Sequence, residues 1–324
     1  MTRSALPLLV FGEALVDDFA DGPVVGGAPF NVARHLAGLG LSPRVLTRIG
    51  RDRYGALIEH DFQAYALPRA GLQIDDHLPT GQVRVHEVAG QGHRFEILRD
   101  QAYDAIDASD ALTALAGISQ SPGLLLYHGT LAARAAPSRA ALQACIDACP
   151  QARVFVDLNW RDGQIDVATA AGLSARADTL KLNEQELLRV GSWFGVIGDL
   201  PMRPPLSGTR LSAVNALMSR IAARQLIVTY GAEGYARFDR DGVCVSAGRA
   251  SPQSQLVDTV GAGDAFSAIT LAGIALDWPL SLTLQRAAEF ASAVCGLRGA
   301  VPATLDFYTP WRAAWALPPR AATP

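Results

Sequence analysis

Asp258-Thr259-Val260-Gly261-Ala262-Gly263-Asp264-Ala265-Phe266 is the stretch on which the reading of this chain turns. Three small residues, Gly261, Ala262 and Gly263, precede an apolar run from Ala265 to Ala275 that reads as a helix. Small residues let a backbone turn tightly and let a ligand come close to its N–H groups. A helix start leaves those N–H groups outside the hydrogen-bond ladder and carries partial positive charge, so the two features together suit a phosphate. Asp264 falls in the first helical turn. A carboxylate there is placed to take a proton from an attacking hydroxyl while the amides hold a transferring phosphoryl group. The plainer reading of a lone G-x-G-D is a helix start with an acidic first turn.

Working outward, composition narrows the classes. The chain has 324 residues, 49% of them hydrophobic, enough for one large α/β domain or two small ones. Its formal net charge is −3, so no bulk basic field favours nucleic acid, and any phosphate site must be local. No apolar run reaches the length of a membrane span, and the N-terminus shows no signal peptide. The expectation is therefore a cytoplasmic protein with no nucleic-acid or membrane partner. Cys145, Cys149, Cys244 and Cys295 form no zinc pattern and read as reduced thiols. Lys181 is the single lysine. A Walker A loop requires Gly-Lys, which the chain lacks, so a P-loop kinase is excluded.

Apolar strands alternate with helical patterns along most of the chain, which predicts a mostly parallel sheet flanked by helices. Strands are expected at 8–11, 44–49, 123–127, 154–156, 179–182 and 226–229, and helices at 31–39, 56–65, 138–148, 265–275 and 281–297. Ligands of such sheets gather at the carboxyl ends of strands. Asp17 lies just past one; it reads either as a solvated turn residue or as an acceptor for two sugar hydroxyls. Asn159 and Arg161 follow another in Asp157-Leu158-Asn159-Trp160-Arg161, where Arg161 also suits a structural salt bridge. Asn183 and Glu186 have the spacing of a capping box. Between Thr80 and Leu98 near-alternation around Gly90-Gln91-Gly92 predicts a β-hairpin outside the main sheet, with a further strand from about 14–25. Arg99 ends that hairpin and reads as a surface arginine. His86 and His93 lie on it without carboxylate or cysteine companions at ligand spacing and read as surface residues. Residues 198–209 read as a loop, as do the last seven as a frayed tail.

The nine-residue stretch resembles the C-terminal signature of the PfkB (ribokinase-like) family of sugar and nucleoside kinases. Further segments resemble that family in the same order. They are the opening Gly12-Glu13-Ala14-Leu15-Val16-Asp17, the G-G-A-x-x-N-x-A segment from Gly26 through Asn31 to Ala33, and the turn Gly50-Arg51-Asp52-Arg53-Tyr54-Gly55. D-x-N-x-R at 157–161, N-x-x-E at 183–186 and T-x-G-x-x-G at 229–234 complete the set. The resemblance spans roughly residues 8–305 and implies a ribokinase-like three-layer α/β fold, with a mostly parallel central sheet and a small β-sheet lid. It implies one kinase domain over 1–312, with the lid from about 14–25 and 78–99 and a tail at 313–324.

In this resemblance Asp264 is the catalytic base and Gly261, Ala262 and Gly263 form the anion hole. Asp17, Gly26, Gly27, Asn31, Arg99, Asn159 and Arg161 are the expected substrate contacts. Lys181, Asn183, Thr229, Gly231, Gly234 and Thr259 are expected at ATP, and Glu186 is expected to organise Mg2+ through water. Arg298-Gly299-Ala300 resembles a segment where family members bind a monovalent cation such as K+. The implied reaction is phosphorylation of a sugar hydroxyl by MgATP, and the opening motif with D-x-N-x-R is most similar to fructokinases, hence D-fructose to fructose 6-phosphate. The alternatives are a 2-keto-3-deoxygluconate kinase, a ribokinase or nucleoside kinase, and a non-catalytic sugar-sensing protein. A dinucleotide dehydrogenase fits badly, because Phe266 stands where its third glycine belongs. A homodimer through the lid is a further expectation of the resemblance.

Overall fold

The computed structural model describes residues 5–88, 92–197, 206–250 and 256–317. The expected turn at Gly90 and Gln91, residues 198–205 of the expected loop, and the tail from 318 lie outside the described residues. The chain forms two compact units.

The first unit holds residues 7–124, 131–152 and 303–324. Its strands are β1 (Leu8–Phe11), β2 (Leu15–Phe19), β3 (Gly22–Gly26), β4 (Arg44–Gly50), β5 (Leu72–Asp75), β6 (Gly81–Val88) and β7 (Gly92–Ile97). Its helices include α1 (Ala28–Gly38), α2 (Arg53–Ala64), α3 (Ala108–Ala114) and α4 (Ala136–Ala148). β4 pairs in parallel with β1 and β5. β1 is apolar throughout and wholly buried, as befits a strand covered on both faces. The segment near 14–25 contributes two strands where one was expected. Gly22, at φ +134°, turns the chain back so that β2 and β3 pair antiparallel. β2 also pairs in parallel with β6, and β6 antiparallel with β7, giving a separate small sheet in the order β3-β2-β6-β7.

On that hairpin His86 is a surface residue, as expected, and gains a partner across the strands. Cross-strand pairing brings Glu96 to His86, with Nε2 and Oε2 2.9 Å apart, so His86 does have a carboxylate companion. Linear spacing could not show it, because the partner stands on the facing strand. The side chain of His93 lies outside the described residues.

Two of the helix starts that differ from the expected ones have a clear local cause. α1 begins at Ala28, with Pro29 near its start, where a ring that lacks N–H is tolerated. α2 begins at Arg53, because Asp52 caps it: Oδ1 accepts from Tyr54 N at 2.9 Å and Gly55 N at 2.8 Å. The other oxygen of Asp52 accepts from Thr80 N at 2.8 Å and ties the helix start to the chain entering β6. The polar residues ahead of the expected helix are thus a cap.

The second unit holds residues 1–6, 125–130 and 153–302. Its strands are β8 (Leu125–His128), β9 (Arg153–Asp157), β10 (Thr179–Asn183), β11 (Gln225–Thr229), β12 (Tyr235–Asp239) and β13 (Cys244–Gly248). Its helices are α5 (Val167–Ala175), α6 (Glu184–Trp193), α7 (Thr209–Arg220), α8 (Ala262–Ala275) and α9 (Leu280–Val294). β8 to β11 run parallel in sequence order, and β12 and β13 add an antiparallel edge. Leu180, Leu182, Leu226, Ile227 and Val228 are fully buried in the middle of the sheet. α8 is buried along nearly its whole length after the first turn, so its apolar composition reflects a core helix.

Candidate active site

In the second unit, Gly261 caps α8 in the left-handed region at φ +79°. A side chain there would collide with the backbone and Cβ of Ala300 as well as bear the left-handed strain, so only glycine serves. Asp258 holds the approach to the helix. Its carboxylate accepts from Val260 N at 3.0 Å and from Gly299 N at 3.1 Å. Val257 N and Asp258 N both donate to Cys295 O. Asp258 therefore pins the loop to the segment after α9, a role that sequence reading left unassigned. The first ladder bond of α8 runs from Ala265 N to Gly261 O at 2.8 Å, and Ala262 N donates to Thr259 O at 3.3 Å. The amides of Gly263 and Asp264 precede the ladder and belong to the helix's positive end. The Asp264 side chain is half-buried in that turn, and Thr259 is exposed.

Strand register gathers the next group. Lys181 on β10 pairs with Asp157 on β9, and Asn183 with Thr229 on β11. Lys181 Nζ lies 2.8 Å from Asp157 Oδ2, with both side chains at 5% exposure or less. Ser267 Oγ, one turn beyond Asp264 on α8, donates to the same oxygen at 2.7 Å. A Cβ on Gly263 would stand 3.6 Å from Lys181 Nζ, so the ammonium lies against the first turn of α8. Lys181, expected at an ATP phosphate, is a buried cation beside the helix start. Asp157 and Ser267 were not singled out, because their meeting depends on register and helix placement.

Asn183 and Glu186 form the expected capping box on α6. Glu186 is buried, and each of its oxygens accepts a backbone N–H, Oε1 from Trp160 and Oε2 from Asn183, both at 2.8 Å. Burial and the neighbouring Asp157 charge push the Glu186 carboxyl above its ordinary value, against the pull of those N–H groups. Asn159 is half-buried at φ +44°, and Arg161 is exposed with Nη1 donating to Trp160 O at 3.1 Å. The Trp160 ring packs on Trp193 at 4.9 Å and under the Arg189 guanidinium at 5.2 Å, which fixes the 158–162 segment.

The T-x-G-x-x-G segment closes on itself after β11. Tyr230 N donates to Gly234 O at 2.8 Å and Gly234 N to Gly231 O at 3.1 Å. Gly231 and Gly234 are both at positive φ, and a side chain on Gly234 would collide with Gly248 O. Thr229 is half-buried, its Oγ1 directed to Leu182 O at 3.5 Å.

The expected substrate contacts in the first unit form their own group. Asp17 sits on β2 opposite Val24, and a Cβ on Gly26 would stand 2.8 Å from its Oδ2. Gly26 thus leaves room for the Asp17 carboxylate. Gly27 caps α1 at φ +100°, where a side chain would also press on Glu13 O. Asn31 is buried on α1, its Oδ1 accepting from Arg34 Nη2 at 2.5 Å. Arg99 is exposed, two residues beyond β7. Among the described residues no group of three His, Cys, Asp or Glu could by itself hold a metal ion, and no helix is long and apolar enough to cross a membrane.

Solved structures share this fold. The fructokinase of Vibrio cholerae O395, with fructose, ADP and calcium ion bound, matches with a TM-score of 0.73 and 22% identity, over 93% of this chain and 96% of that one. The fructokinase of Xylella fastidiosa with bound ATP matches with a TM-score of 0.76 and 20% identity, over 96% and 99%. The likeness shows the expected ribokinase-like architecture, a large mostly parallel sheet flanked by helices with a second small sheet. Fold and sequence relatives together define a phosphotransferase with an alcohol group as acceptor. Residues 16–306 match the pfkB family of carbohydrate kinases, and the chain belongs to that family. The fructokinase of Klebsiella pneumoniae is 29% identical over 279 residues, 82% of this chain and 83% of the relative. That of Salmonella typhimurium is 28% identical over 302 residues, 89% and 91%.

Proposed function

We propose that this sugar kinase transfers the γ-phosphoryl group of ATP to D-fructose and forms fructose 6-phosphate. The observation that carries the phosphotransfer is the α8 start, where the Gly261 turn, the amides before the ladder, Asp264 and the Lys181 ammonium converge. The choice of fructose draws on the fructokinase relatives, which match most of the chain.

In this reading Asp264 takes the proton of the attacking hydroxyl. The amides of Gly261, Ala262 and Gly263 hold the charge that develops on the transferred phosphoryl group, and Lys181 strengthens that field from within the protein. Asp17 accepts from sugar hydroxyls beside Gly26 and Gly27, and Asn31 supplies donors. Asn159, Arg161 and Arg99 are further contacts for the substrate's polar groups. Thr229, Gly231 and Gly234 lie along the nucleotide, with Asn183 and Thr259 near its phosphates.

Magnesium fits the residues present. Asp157 and Glu186 are buried carboxylates with Lys181 as their basic companion, and burial, followed by the Asp157 charge, pushes Glu186 up. Each Glu186 oxygen that accepts one N–H keeps a second acceptor position, enough for a metal-bound water. Bound there, the ion would neutralise charge on the β- and γ-phosphates. K+ near Arg298-Gly299-Ala300 and a homodimer through the small sheet belong to the same proposal.

The test is ADP release with MgATP and K+ across fructose, ribose, tagatose, 2-keto-3-deoxygluconate and several nucleosides. Saturable turnover with fructose above all others supports the reading. Turnover confined to the keto acid would replace fructose and shift substrate choice to the arginines. Silence on the whole panel would favour a sugar sensor.

A further inference from the structure

The first unit contains a buried arginine that the phosphotransfer reading does not use. Arg34 lies on α1, one turn after Asn31, and is 5% exposed. Its Nη2 donates both to Asn31 Oδ1 at 2.5 Å and to Val25 O on β3 at 2.8 Å. Its Nη1 pairs with Asp61 Oδ2 on α2 at 2.7 Å. The guanidinium also stands 5.0 Å over the Phe30 ring, and Phe30 stacks on Phe62 of α2 at 5.3 Å. Three elements therefore hold Arg34 in one geometry.

An asparagine amide has an acceptor end and a donor end that a half-turn exchanges. Beside Arg34 only one orientation is favourable. Turning the amide would bring its NH2 group against the arginine's N–H groups, donor against donor. Asn31 therefore gives Oδ1 to Arg34 and turns its N–H donors away from the guanidinium. The same arginine grips β3 at Val25, next to Gly26, against which the Asp17 carboxylate lies. An ionised carboxylate only accepts. One fixed donor and one fixed acceptor, tied to a common guanidinium, match a polyol, whose hydroxyls can accept at one carbon and donate at another.

We propose that Arg34 is a positioning residue for the sugar: it fixes the polarity of the Asn31 amide and couples it to the strand beside Asp17. This inference rests on the reading of Asn31 and Asp17 as sugar contacts.

The test compares sugar and ATP Michaelis constants in purified full-length variants. Asn31→Asp keeps an acceptor for Arg34, now charge-assisted, while removing both donors. It should fold with an unchanged or higher Tm, raise the sugar KM about 10- to 100-fold, and leave the ATP KM within about twofold. Arg34→Met alone leaves Asp61 without its partner, so Arg34→Met is made with Asp61→Asn. That double variant should raise the sugar KM about 10-fold with the ATP KM and Tm little altered, and Arg34→Lys with wild-type Asp61 should recover part of the loss. A folded double variant with a normal sugar KM would overturn the assignment of Arg34, as would equal changes in both constants. A wild-type protein that turns over a sugar in the same assays keeps the kinase reading in either case. Absence of sugar binding and turnover in the wild type would overturn both.

Discussion

Replacing Lys181 by Met removes the ammonium and nearly preserves the volume. The ammonium is 2.8 Å from Asp157 Oδ2, and the two side chains are 4% and 5% exposed. With Lys181 gone, the Asp157 carboxylate stays buried with the Ser267 hydroxyl still donating to it. Breaking one side of such a pair costs about 3–5 kcal/mol, whereas replacing both sides by apolar groups is often neutral or stabilising. With a urea slope of about 3 kcal/mol/M, the single change should lower the unfolding midpoint by roughly 1–1.7 M. Adding Asp157→Leu should return the midpoint to within about 0.3 M of wild type on the same slope; Ser267 can then bond to a carbonyl of its own helix. The double variant separates stability from function, and its magnesium titration, read alongside, separates the ammonium from the Asp157 carboxylate. If the ammonium adds to the anion site, the refolded double variant should show kcat/KM for ATP lowered at least 10-fold while adenosine, which lacks phosphates, binds as before. A Lys181→Met protein as stable as wild type would refute the buried-pair argument. A stable double variant with normal ATP kinetics would refute the role of the lysine in the anion site and leave only packing.

Other consequences follow from buried polar groups. Burial pushes the His128 imidazole down to about 4, and its Nδ1 stays 2.8 Å from Gly129 O. Unfolded histidine titrates near 6.5, so the unfolded chain binds the extra proton first, and this contribution to stability is lost as pH falls from about 6.5 to about 4. It amounts to roughly 3 kcal/mol at 1.36 kcal/mol per tenfold change; urea midpoints between pH 7 and 5 should fall less in His128→Asn than in wild type, and parallel curves would contradict this. Asp52→Ala removes the α2 cap and the bond to Thr80, and should cost about 1–2 kcal/mol in the same denaturation assay, with Asp52→Asn recovering part. An unchanged midpoint would mean the helix start holds without the cap.

Much of the architecture was legible because it rests on local signals. The apolar run at Leu8–Phe11 and the small-residue lead into α8 stand out without any tertiary information. The α8 site was legible for the same reason: its donors, its turn and Asp264 are contiguous in the chain. Features made by distant residues were not legible. Lys181 meets Asp157 only through the register of β9 and β10, and Ser267 joins them only once α8 is placed. Arg34 carries no signal in the sequence, because β3 and α2 bury it. Asp258 opens the motif, but its partner Gly299 is 41 positions away. In the polar run Arg51-Asp52-Arg53 composition alone does not tell a cap from a loop; the hydrogen bonds to Tyr54 and Gly55 do.

The most direct test of the central claim is single-turnover transfer of the labelled γ-phosphoryl group from MgATP to fructose by wild type and Asp264→Asn. The account predicts labelled fructose 6-phosphate from wild type. It predicts a rate at least about 1000-fold lower from the variant, with ATP binding retained, since Asn cannot accept the hydroxyl proton. Transfer by the variant at a rate near wild type would contradict the assignment of Asp264 as the base.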